Sequence, residues 1–138
     1  MSENIDEFNQ AVGLIFAKLY GAFPEPIMLK VQSLDPEDID ANAPIEDHNH
    51  RWKVFGHTMM FLRDEGYVRF NDPPMAFDLF PLAVLTRKGL EVLNQTPESI
   101  NGPRKTIGDT LRDLSKDILK EGAKEALKGT VGLIFGAG

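Results

Sequence analysis

With 138 residues, 42% of them hydrophobic and 26% charged, the chain has the size and make-up of one compact domain with an appendage, which excludes disorder throughout. It has no cysteine, so disulfides, cysteine zinc sites and thiol catalysis are excluded. The net charge of −6 is uneven, with 8 Lys and Arg against 16 Asp and Glu in residues 1–102, and 7 against 5 in residues 103–138. So acidic a body repels polyphosphate unless its cations gather on one face.

The first ten residues, MSENIDEFNQ, carry acids where a secretory signal carries bases, and the VGLIF run after them is too short for a signal core. A cytoplasmic location is expected. Ile5, Phe8, Val12, Ile15, Phe16 and Leu19 step by three and four, which predicts a helix over residues 4–20 with Gly21 as its stop. A short second helix is expected over Pro26–Leu34, where Ile27, Val31 and Leu34 share a side; so short a run also admits a brief strand. Asp35–His50 has six acids, two prolines and no Lys or Arg, and reads as a long acidic loop with one capped turn at 36–41.

A central helix is predicted over Arg51–Glu65, with Trp52, Phe55, Met59 and Leu62 inward and Gly66 as a left-handed cap. Strands are expected over 67–70 and 77–85, joined by the turn residues Asn71–Pro74, with Pro81 at an edge or bulge. Thr86 is placed to cap one more helix, with Leu90 and Leu93 inward. The linker that follows sets a boundary near Asn101–Pro103, dividing the chain into a domain, 1–102, and a C-terminal segment, 103–138.

That segment reads as one long amphipathic helix from about Pro103 to at least Lys128, followed by a frayed or partner-ordered Gly-rich tail. Ile107, Leu111, Leu114 and Ile118 form a seam suited to oligomerisation, the alternative being that it folds back on the first helix. Its polar side offers i,i+3 pairs: Asp109–Arg112, Asp113–Lys116, Asp117–Lys120, Glu121–Lys124 and Glu125–Lys128. Residues 129–138 supply about half of the roughly 20 apolar residues that a spanning helix needs, so a membrane role is set aside.

The helix ending LRDEGYV, the strand–turn–strand and the phrase LTRKGLEVL resemble the winged helix-turn-helix superfamily over residues 5–96. The fold expected is mainly α with a small β-hairpin (α+β), a winged helix followed by a long C-terminal helix. The resemblance implies that Arg51–Glu65 is the recognition helix and Asp72–Ala76 the wing tip. In members that bind DNA, such elements contact bases and phosphates; here Arg51, Lys53, His57, Thr58, Arg63 and Arg69 would do so.

The outer face left on the central helix is Val54, Met60 and Phe61, and the wing tip offers Met75, all apolar and suited to a protein partner. Equally, a broader stripe could be buried under the last helix. Glu46, Asp47, His48 and His50 have ligand chemistry but no ligand spacing, and are taken as a polar loop rather than a metal site. His57 is read as a surface or half-buried histidine, the serines lack a nucleophile elbow, and the C-terminal glycines lack the Lys-Ser/Thr of a phosphate loop. We therefore expect no enzyme and no cofactor. The expected function is a winged-helix regulatory or assembly module that recognises a protein partner and self-associates through its C-terminal helix. A dimeric DNA-binding regulator that docks residues 51–65 in the major groove is the alternative.

Overall fold

The computed structural model describes residues 3–30, 34, 45–71, 79–96 and 105–135, with only the backbone of 3 and 45–49. Helix α1 (Glu3–Ala22) leads to strand β1 (Ile27–Lys30), helix α2 (Ile45–Asp64), and strands β2 (Val68–Arg69) and β3 (Leu79–Leu85). Helices α3 (Arg87–Leu93), α4 (Ile107–Lys116) and α5 (Ala123–Ile134) complete the order. The fold is mainly α with a small antiparallel sheet in the order β1-β3-β2.

Helix α1 is the centre of the molecule. Every residue from Ala11 to Ala17 is buried, so the helix is covered on all sides rather than along one stripe. Its partners are α2, the sheet and both C-terminal helices. Gly21 lies inside α1 rather than ending it, and Ile5, expected on the buried stripe, is exposed. The Tyr20 phenol ties the end of α1 to two helix caps: it donates to Asn94 Oδ1 at 2.7 Å and lies 3.2 Å from Thr106 Oγ1. With its single proton already given to Asn94, the phenol accepts from Thr106.

The expected short helix over 26–34 is instead strand β1. Its burial alternates along IMLK, with Leu29 buried and Met28 and Lys30 exposed, which is the period of a strand. Ile27 pairs with Ala83 and Leu29 with Phe80, so Pro81 and Leu82 stand opposite Met28 alone, and β3 carries the extra residue of a bulge. Pro81 is thus at a bulge, as expected of a residue with no N–H to give the ladder. Leu82 takes the left-handed conformation, φ 55°.

Helix α2 begins at Ile45, within what reads as loop, and the expected turn at 36–41 and wing tip 72–76 lie outside the described residues. Its end is as predicted. Gly66 has φ 86°, its N–H reaches the Arg63 carbonyl and the Tyr67 N–H reaches that of Leu62, the paired bonds of a Schellman cap. Thr86 caps α3 by accepting from the Gly89 N–H at 3.2 Å, and its own hydroxyl proton goes to the Gly66 carbonyl.

The single long helix expected over 103–128 is two helices. The chain turns at 117–122, where Gly122 adopts φ 84°, and α5 continues to Ile134, where a frayed tail was expected. Ile107, Leu111 and Ile118 are buried and Leu114 is half-buried, all in the core built around α1. The seam read as suited to a second copy is covered by its own chain. Two glycines permit the close approach: an ideal Cβ on Gly13 would fall 2.7 Å from Leu127 Cγ, and one on Gly108 2.5 Å from the Tyr20 ring.

Candidate functional site

The central helix presents the chemistry worth examining, because its residues divide cleanly between core and surface. Phe55, Met59 and Leu62 are buried, as their spacing predicts, and Trp52 is half-buried. Val54 and Met60, expected on the outer face, are half-buried against the core. Phe61 does face outward, at 44% exposure, and Met75 lies outside the described residues.

Phe61 is not isolated. Its ring stands edge-on to Phe8 at 5.2 Å and to Phe135 at 6.5 Å, while Phe8 and Phe135 are 6.1 Å apart. Phe135 also meets Tyr67 at 5.7 Å. The first turns of α1, the last turns of α2 and the residue after α5 therefore share one aromatic cluster. Edge-to-face pairs of this kind fix ring orientation as well as burying area. The broader stripe under the last helix is thus realised in part, since Phe135 covers one side of Phe61 and leaves the other open.

On that open side, Phe8, Val54 and Phe61 line a cleft of about 450 Å³ together with His50, Lys53, His57 and Thr58. His50, Lys53 and His57 step by three and four along α2 and form its exposed rim. His50 Nε2 lies 2.8 Å from Glu7 Oε2, which links the rim to α1. Apolar floor and polar rim are the anatomy of a protein-recognition patch.

The set read as DNA-contacting is dispersed. Lys53, His57 and Arg69 are exposed, and Arg51 is half-buried beside Glu7 and Gln10. Thr58 is buried and donates to the Val54 carbonyl at 2.6 Å, so its hydroxyl proton is spent inside the helix. Arg63 lies over the Phe70 ring at 5.1 Å and bonds Asp64 at 3.3 Å, which draws it toward the sheet. Thr58 is therefore closed to a groove, and Arg63 is turned toward its own chain.

Among the described residues no cluster of three or more His, Asp or Glu is arranged to hold a metal, and no helix is long and apolar enough to cross a membrane. Phe8, read as part of the buried stripe of the first helix, and Phe135, Glu7 and His50 are the members of the site that sequence reasoning missed. An aromatic residue at the end of an apolar helix is the one signal that could have pointed to Phe135. No protein family, curated protein or solved structure matches the chain.

Proposed function

We propose that this chain is a non-catalytic winged-helix regulatory module that recognises a protein partner through the cleft of Phe8, Val54 and Phe61. The winged helix rests on the resemblance of LRDEGYV and LTRKGLEVL, and the order of elements, α1, β1, then α2 leading into antiparallel β2 and β3, is compatible with it. Support for protein recognition comes from one observation above others. Phe61 stays 44% exposed beside an apolar floor, on the helix where Thr58 and Arg63 are engaged within the chain. Burying such a ring in a partner is favourable by the apolar area removed from water, whereas a phosphate backbone gains nothing from it.

Self-association through residues 103–138 belongs to the same proposal. Among the described residues, the large apolar side chains open to it are Leu119 and Leu133, both exposed, since Ile107, Leu111 and Ile118 serve the chain's own core. The recognition test has two arms. A photo-crosslinking residue at position 57 of the full chain should trap a discrete protein adduct that disappears in Phe61→Ser. Labelled random-sequence duplex, titrated at several salt concentrations, should show no binding. Duplex binding that weakens linearly with log salt would replace this proposal with the DNA-binding regulator, with Lys53 and Arg69 as its exposed cations.

A further inference from the structure

A second cleft, on the opposite half of α1, has different chemistry. It lies between the last turns of α1, β1 and α4, with a floor of Leu14, Ala17, Ile27, Leu34 and Ile118. Lys18, Arg112 and Lys116 stand around it with Ser115, and among the described residues no acid lines it. In a chain of net charge −6, three cations converge on one hollow.

The ion pairs leave these cations without a direct salt bridge among the described residues, although the Asp113 carboxylate attracts Lys116 and Arg112 at longer range. The sequence offers Asp109 to Arg112 and Asp113 to Lys116 at i,i+3. In the structure Asp113 is taken by Lys105, and no ion pair to Lys18, Arg112 or Lys116 forms among the described residues. Arg112 lies against the last turn of α1, where an ideal Cβ on Gly21 would fall 3.0 Å from its Nε. Favourable contact with the carbonyl end of α1 accounts for a cation at that one position. Lys18 and Lys116 are both exposed and make no salt bridge among the described residues, Lys116 meeting Asp113 only through longer-range attraction. Ser115 donates to the Arg112 carbonyl at 2.9 Å and keeps lone pairs for an incoming donor.

We infer that this cleft binds a small amphiphilic anion, its acidic head held by Lys18, Arg112 and Lys116 and its apolar body laid on Leu14, Ile27 and Ile118. The volume, about 540 Å³, lies within the roughly 300–1,000 Å³ of small-molecule sites. Charge-assisted bonds from a guanidinium and two ammonium groups supply the head-group selectivity. The inference is independent of the protein-docking cleft, which lies on α2.

Titration calorimetry of the full chain with decanoate, decanol and inorganic phosphate tests it. Decanoate should bind saturably at one site and about tenfold more tightly than decanol, and phosphate alone should not bind, because head and body each contribute. The exposed pair Lys18→Gln and Lys116→Gln, which leaves the core untouched, should weaken decanoate about tenfold. Phe61→Ser should leave decanoate binding unchanged. Absence of decanoate binding, equal affinity for decanol, wild-type affinity in the lysine double variant, or loss of binding in Phe61→Ser would each overturn the inference. So would binding to anionic phospholipid vesicles without binding to free decanoate, which would assign the cations to a membrane surface.

Discussion

Leu127 of α5 occupies the space where a side chain at Gly13 of α1 would stand, its Cγ 2.7 Å from an ideal Cβ there. Alanine is favoured over glycine within a helix by about 1 kcal/mol. Forcing an extra methyl into a packed core costs about 1–3 kcal/mol. Gly13→Ala should therefore lower stability despite its better propensity. Gly129, on the exposed side of α5 with nothing near its would-be Cβ, should gain about 0.5–1 kcal/mol as alanine. Urea unfolding of the two variants reads opposite signs if α1 and α5 meet as described.

Leu82 is the second place where residue and backbone disagree. It holds φ 55° in the bulge of β3 while its side chain is 53% exposed, so the conformation is retained for the strand's path rather than for packing. A left-handed L-residue costs about 1–2 kcal/mol, of which glycine's greater unfolded entropy takes back about 0.5–1 kcal/mol. Leu82→Gly should raise the unfolding midpoint, and Leu82→Val should lower it.

Removing residues 103–138 should abolish cooperative unfolding, because Ile107, Leu111, Leu127 and Val131 are buried against α1. Each such residue lost from a core costs about 2–5 kcal/mol, against a total stability of about 5–15 kcal/mol. Self-association is better tested with Leu119→Asp and Leu133→Asp, which leave that core intact. Light scattering should report a lower mass for the double variant than for the parent.

Lys105 and Asp113 provide a pH signature. The Lys105 ammonium donates to the Asp113 carboxylate, and this bond first, then the charge attraction, holds Asp113 below the usual carboxylate range and Lys105 above the usual lysine range. Asp113 therefore contributes stability above its unfolded pKa and loses it as pH falls through the depressed folded value. For Lys105 the contribution is complete below its unfolded pKa and is lost as pH rises through the raised folded value. NMR titration should place the Asp113 midpoint below that of an unpaired aspartate, and Lys105→Ala should return it upward. High salt should shrink the difference, since both groups are exposed.

The helices with long, strong periodicity were legible in the sequence, as were the Gly66 and Thr86 caps, because one residue type at one place decides each. Strand β1 was not, since four residues cannot separate a period of two from one of three to four. The break between α4 and α5 was hidden by charge: Asp117 meets Lys120 at 3.5 Å across the turn and Glu125 meets Lys128 at 3.2 Å inside α5, so the pattern of pairs runs straight through. Leu119, counted in the apolar strip, is 72% exposed there. At the site, Phe61 was read outward from its place on α2. Nothing in the sequence told that Thr58 would be buried, and the aromatic residue at 135 gave no sign that its ring would meet Phe8.

The covering of α1 on every side sets the timetable of synthesis. Helix α1 is translated before the elements that cover it, and α4 and α5 follow the others among them. Until they do, Ala11–Ala17, an apolar run buried throughout in the finished fold, has nothing to lie against on much of its surface. Domains of this kind close late and expose sticky intermediates on the ribosome. The nascent chain should therefore engage a holding chaperone through α1 and release it when α5 arrives.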